Sequence, residues 1–110
     1  MIRIEIVRKN GYSYFYSLRF FGHCGFAKKG NDIVCAGVSA LVQTAGVLLN
    51  ACHESKIKQT DSENYFEIKI EKVTNNDKNK IADYCDFLLT GLFLVEKQYP
   101  DYVKIIILEE

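Results

Sequence analysis

Gly22-His23-Cys24-Gly25-Phe26-Ala27-Lys28-Lys29-Gly30-Asn31-Asp32-Ile33-Val34-Cys35-Ala36-Gly37-Val38-Ser39-Ala40-Leu41 is the stretch in which the chain changes its period. Upstream, apolar residues alternate with polar ones, the two-residue period of strands. Downstream, Val34, Val38, Leu41, Ala45, Leu48 and Cys52 recur at helical spacing. Between them, Gly22, Gly25 and Gly30 fall close together around Lys28-Lys29, which reads as a loop of unusual backbone freedom. Asp32 is a favoured N-cap type, so the spacing predicts a helix from about residue 33 to 54. A strand leading through such a loop into an apolar helix points to an α/β fold.

Working outward, Ile2, Ile4 and Ile6 alternate with Arg3 and Glu5, a half-buried strand. Asn10-Gly11 is a two-residue hairpin signal, and residues 12–21 read as the returning strand, rich in Tyr and Phe. Beyond the first helix, residues 56–59 read as a short strand and Asp61-Ser62-Glu63-Asn64 as a turn. Residues 65–73 form another strand with Phe66, Ile68 and Ile70 inward. Asn75-Asn76-Asp77 is a turn and cap cluster. Ile81, Cys85, Leu88, Leu92 and Val95 then follow the 3.6-residue period up to Pro100. Residues 102–108 close the chain as a strand. The predicted fold is α/β (α+β): one domain over residues 1–110, a two-layer sandwich of a mostly antiparallel sheet with two helices, in the order ββα(β)βαβ.

Composition narrows the function classes. The 110 residues carry 14 Lys plus Arg and 14 Asp plus Glu, a formal net charge of zero. That disfavours direct nucleic-acid binding, which calls for a basic excess or stripe. No continuous apolar run at the N-terminus resembles a secretory signal, and unbroken apolar runs such as Ile105–Leu108 fall short of a membrane span. The expected location is the cytoplasm, where thiols stay reduced, with no membrane partner. Four cysteines in this length are far below a disulfide scaffold.

Chemistry concentrates in the opening stretch. It sets His23 at a strand end and Cys35 near the start of a helix, where backbone dipoles favour a thiolate. A loop of this length lets the two meet, and a Cys–His pair supplies a nucleophile and a base. Asp32 either caps the helix or orients His23, capping being preferred. Ser39, one turn after Cys35, either hydrogen-bonds in the site or back-bonds to a helix carbonyl. Phe21, Phe26 and the tyrosines of the second strand are candidates for an apolar substrate pocket. A metal site is the rival reading of His23-Cys24 and Cys52-His53. It is disfavoured because Cys35 and Cys52, placed on one helix, stand about 25 Å apart, and no C-x-x-C occurs. Cys52 and Cys85 lie on apolar stripes and read as packing thiols. A redox pair of Cys24 and Cys35 is a further reading of the same loop.

Gly22-His23-Cys24 followed by Gly30-Asn31-Asp32-Ile33-Val34-Cys35-Ala36-Gly37-Val38-Ser39-Ala40-Leu41 resembles the motif of the bacterial ribosomal-processing cysteine protease family. The likeness extends to chain length, the opening I-x-I-E-I strand and the hairpin. Cys24 departs from it, standing where a small Ala is usual. The resemblance implies a cysteine endopeptidase with Cys35 as nucleophile, His23 as its partner, and no cofactor or metal. It implies that the glycine-rich loop, with Gly22, Gly25, Phe26 and Gly30, admits substrate. The implied substrate is the N-terminal extension of a large-subunit ribosomal protein, cut after an apolar-aromatic stretch ending in Phe-Phe and before small residues. It also implies a homodimer. The alternative is a non-catalytic ribosome-assembly binding module using the same loop.

Overall fold

The computed structural model describes residues 1–22, 29–62 and 65–110 and, for residues 29–32, the backbone alone. The elements are β1 (Ile2–Arg8), β2 (Ser17–Phe21), α1 (Lys29–Asn50), β3 (Lys56–Ser62), β4 (Tyr65–Lys72), α2 (Lys78–Gln98) and β5 (Val103–Glu109). They form one five-stranded sheet in the order β3-β4-β2-β1-β5. The pairs β1·β2, β2·β4 and β3·β4 are antiparallel, and β1·β5 is parallel. The predicted α+β sandwich in the order ββαββαβ is therefore the observed one, and the short strand expected after α1 runs the length of its neighbours.

Strand register explains which face is covered. Ile4 lies beside Phe20 and Ile105, and Ile6 beside Leu18. Phe20 and Leu18 in turn lie beside Phe66 and Ile68. Side chains alternate along a strand, so these residues share one face. They form a single cluster with Val34, Cys35, Val38, Val42, Ala45 and Leu49 of α1 and Ile81, Cys85, Leu88 and Leu92 of α2. Fully burying each Ile or Leu contributes about 1.5–3 kcal/mol before the entropy of ordering is charged against it. The other face is polar. Arg19 bridges Glu5 and Glu67 at 3.5 and 3.2 Å. Ser17 Oγ also donates to Glu67. Burial pushes the Glu67 carboxyl up, but hydrogen bonds from Arg19, Tyr65 and Ser17 outweigh it and hold the group below its ordinary value. On that face the Arg3 guanidinium lies 4.9 Å from the centre of the Phe21 ring, which packs on Tyr65.

Three expectations are corrected. The second strand begins at Ser17, not Tyr12. Asn10-Gly11 does turn the chain, with Gly11 at φ +86° and Tyr12 N–H donating to Lys9 C=O. The strands then rejoin only at Val7 and Ser17 because Phe15 leaves the ladder to bury itself in the core. Helix α1 starts at Lys29 and stops at Asn50, so Gly30 is helical rather than part of a loop, and Asp32 lies in the first turn rather than at the cap. Once a helix is nucleated, each further residue adds a hydrogen bond, and this carries α1 past the Asp signal. Cys52 and His53 consequently lie beyond the helix, in a turn closed by Cys52 N–H to Leu49 C=O and Ser55 N–H to Cys52 C=O. The hairpin turn expected at residues 61–64 is shorter, since Asp61 and Ser62 still pair with Phe66 and Tyr65, while Glu63 and Asn64 lie outside the described residues.

One stretch of α1, Ile33–Asn50, has no charged residue and is long and apolar enough by composition to cross a bilayer. Its buried residues recur every three or four positions against the sheet, the stripe of a core helix.

Helix α2 is fixed at its start by Asp77. The residue occupies the cap position but makes no side-chain cap bond. Its buried carboxylate instead accepts from Ser55 Oγ at 2.7 Å and Thr74 Oγ1 at 3.3 Å, and Thr74 N–H donates to Ser55 Oγ. The turn after α1, the end of β4 and the start of α2 are thereby tied at one point. Cys85 faces the sheet from α2, and burial pushes its thiol up to about 12 against a hydrogen bond from the Phe15 backbone.

Asp77→Ala removes the acceptor of two half-buried hydroxyls and is expected to cost about 1 kcal/mol in urea unfolding, with Asp77→Asn costing less because it keeps an acceptor. The raised Cys85 thiol stays protonated when folded but ionises in the unfolded chain. Stability should therefore fall as pH rises from about 9 toward 12, by up to about 1.4 kcal/mol per pH unit, and Cys85→Ala should flatten that slope in pH-dependent denaturation.

Candidate active site

Gly22 ends β2 with a conformation and a contact that both call for glycine. Its φ is +149°, and a Cβ there would meet the Ile2 backbone at 3.2 Å. A side chain would push apart the pairing of β1 with β2 directly before His23. His23, Cys24, Gly25 and Phe26 lie outside the described residues. The expected approach of His23 to Cys35, the apolar pocket around Phe26 and the Cys24–Cys35 pair fall there.

Cys35 is on α1, six residues beyond Lys29, about 9 Å along the axis at 1.5 Å per residue. This corrects the expectation that it sits in the first turn. The field of a helix terminus falls off within that turn, so the backbone dipole alone does less for a Cys35 thiolate than the sequence suggests. Greater weight then rests on a neighbouring base. Cys35 has no solvent-accessible surface and packs within the core cluster between Val34 and Val38. A carbonyl carbon reaches its sulfur only if groups covering it are displaced.

Ser39 lies one turn further along. Its Oγ accepts a hydrogen bond from Gln43 Nε2 at 2.9 Å, a partner that sequence reasoning did not single out. The bond ties two successive turns of α1 together. Phe21 lies on the polar face of the sheet, away from the cluster that holds Cys35. Tyr12 and Tyr14, expected on the second strand, instead stack on each other and line a small cleft with Val73, Asn75 and Lys78.

Two described cysteines are the packing thiols that the sequence predicts. Cys52 and Cys85 are free and buried. Cys52 Sγ lies 3.7 Å from Leu48 C=O, and burial pushes its thiol up as well. Raised thiols are poor nucleophiles at neutral pH. Among the described residues no group of three or more His, Cys, Asp or Glu is arranged to hold a metal.

Residues 1–104 match the family model described as cysteine protease Prp. A ribosomal processing cysteine protease Prp of Bacillus subtilis is 28% identical over 92 residues, which cover 81% of this chain and 82% of that protein. The crystal structure of SMU.848 from Streptococcus mutans superposes with a TM-score of 0.85 at 25% identity, over 100% of this chain and 96% of that one. The essential ribosomal processing protease Prp from S. aureus, solved with a substrate peptide, gives a TM-score of 0.83 at 17% identity over 97% and 99% of the two chains. The same S. aureus protein with a covalently linked product peptide gives 0.79 at 23% identity. Cys35 follows Asp32-Ile33-Val34 on the helix after β2, and the family match takes in β1 to β4, both helices and the first two residues of β5. The chain belongs to the cysteine protease Prp family.

Proposed function

We propose that this chain is the endopeptidase that removes the N-terminal extension of a large-subunit ribosomal protein, with Cys35 as nucleophile and His23 as its base. The observation that carries the reading is the family match over residues 1–104, together with a cysteine at the motif position on α1. The substrate assignment draws on the ribosomal processing role named for the B. subtilis and S. aureus relatives. The cut falls after an apolar-aromatic stretch and before small residues. We place the reaction in the cytoplasm, where ribosomes are assembled, and take the acting form to be a homodimer.

The chemistry follows from a thiol and an imidazole. His23 accepts the Cys35 proton, and the thiolate attacks the scissile carbonyl carbon, moving an electron pair onto oxygen. Collapse of the tetrahedral adduct expels the amine, which takes the proton from His23, and leaves a Cys35 thioester. Water, deprotonated by His23, then releases the new C-terminal carboxylate and restores the thiol. Because Cys35 is fully covered, binding of the extension must open the region around it before attack. Such gating spares the thiolate from solvent and stray electrophiles between turnovers.

A peptide carrying an aromatic pair followed by small residues should be cut once, after the aromatic pair, as read by mass spectrometry. Cys35→Ala and His23→Ala should each lower kcat/KM by about a thousandfold or more. A Cys35→Ala protein as fast as wild type would remove the dyad assignment, and an inert wild type would remove the substrate assignment. Iodoacetamide at neutral pH should label Cys35 faster with the peptide present than without it, while Cys52 and Cys85, whose raised thiols stay protonated, label slowly in both; peptide mapping of the labelled sites checks the order.

A further inference from the structure

Between Ile33 and Leu49, helix α1 carries only three side chains with a hydrogen-bonding oxygen or nitrogen: Ser39, Gln43 and Thr44. Two of them, Ser39 and Gln43, continue a line from Cys35 in steps of four residues. Each step turns about 40° around the helix axis. The line therefore winds from the buried Cys35 through the half-buried Ser39 to the exposed Gln43. Side chains on a helix lean toward its N-terminus, so Gln43 leans over Ser39 and Ser39 leans over Cys35. The bond from Gln43 Nε2 to Ser39 Oγ, 2.9 Å long, is the first of these two approaches.

That bond decides what Ser39 can do. A hydroxyl has one hydrogen to give and two lone pairs with which to accept. In a helix the hydrogen usually goes to the carbonyl four residues back, as Thr90 Oγ1 donates to Asp86 C=O at 2.7 Å on α2. Ser39 differs. Among the described residues its one side-chain hydrogen bond is the one it accepts from Gln43, and its own hydrogen is left to donate on the side of Cys35.

Attack by Cys35 calls for such a donor. It moves an electron pair onto the scissile carbonyl oxygen, and fixed donors aimed at that charge lower the barrier. A helix start offers free N–H groups, but the N–H of Cys35 lies beyond the first turn, where these groups are bonded to carbonyls one turn back. At this depth in α1 a side chain has to serve. Residues four apart on a helix have Cβ atoms about 5–6 Å apart. A carbon bonded to Cys35 Sγ, with its oxygen turned along the helix, fits between the two side chains once the groups covering the thiol are displaced.

We propose that Gln43 is a positioning residue for the cleavage reaction: by donating to Ser39 Oγ it turns the Ser39 hydroxyl toward the oxyanion that forms on Cys35. The inference rests on the endopeptidase reading above and adds two residues to it. Ser39 meets the reacting oxygen, and Gln43 acts through Ser39. The Ser39 hydrogen is donated as a hydrogen bond and stays on Oγ. When the electron pair re-forms the carbonyl and the amine leaves, Ser39 is unchanged.

Steady-state cleavage of the aromatic-pair peptide by the full chain tests it, with Cys35→Ala as the blank and thermal melts on every variant. Ser39→Ala should lower kcat and kcat/KM alike, by about a hundredfold, with KM little changed. Gln43 is exposed, so its substitutions spare the core. Gln43→Leu should lower kcat by about tenfold. Gln43→Lys, which donates again, should restore most of that loss, whereas Gln43→Glu, which only accepts and draws the Ser39 hydrogen away, should restore none. A bond that merely braces the helix would show in the melting temperatures and leave kcat alone. Equal kcat in Gln43→Lys and Gln43→Glu overturns the proposal, and so does a loss carried by KM alone. Ser39→Ala as fast as an active wild type overturns it while the Cys35–His23 assignment stands. A wild type inert toward the peptide removes both.

Discussion

The packing of one helical stripe against one face of the sheet governs this molecule. Val34, Cys35, Val38, Val42, Ala45 and Leu49 meet the isoleucines and phenylalanines of β1, β2 and β4 in a single cluster. Because α1 follows β2 directly after the glycine-rich stretch, the contact that holds the fold also carries the motif cysteine. Protein interiors are close-packed, and a change of one methylene is felt there. The Cys35 position is therefore fixed in depth and direction by the core.

That arrangement sorts the thiols. Cys52 and Cys85 lie in the same apolar surroundings as Cys35, and burial raises both. Cys35 stands about two turns from the helix start, where the field of the helix end has fallen off. His23 of the motif is the imidazole nearest to it in sequence.

Much of this was legible in the chain itself. Alternation at Ile2, Ile4 and Ile6 and at Phe66, Ile68 and Ile70 marked strands and their inner faces, because a strand with one wet face has to alternate. The 3.6-residue stripes marked both helices. What escaped was decided by tertiary contacts. Tyr12 to Tyr16 have strand-like composition, yet Phe15 gains more in the core than in a ladder. Asp32 is a good cap, but three further residues took helical geometry ahead of it. Asp77 has the composition of a cap and the position of one, but its carboxylate is drawn to Ser55 and Thr74 from two other elements. No local pattern announces a partner 22 residues away. Helical spacing put Cys35 and Ser39 one turn apart on α1, as they are, while the Gln43 bond to Ser39 depends on rotamers that spacing does not specify.

Strand β5 ends the sheet, and an end strand offers unpaired backbone to any passing chain. Here Val103 N–H donates to Tyr99 C=O, and Ile105 N–H is held at 2.7 Å by the Glu96 carboxylate of α2. At the opposite margin β3 is almost entirely exposed and polar, with Lys56, Lys58 and Asp61 along it. One border is closed by a helix reaching down, the other guarded by its own charges. An extended peptide is the kind of molecule that would add itself to an open border. A protease gains by refusing extended chains at its sheet edges and admitting them only where they are cut.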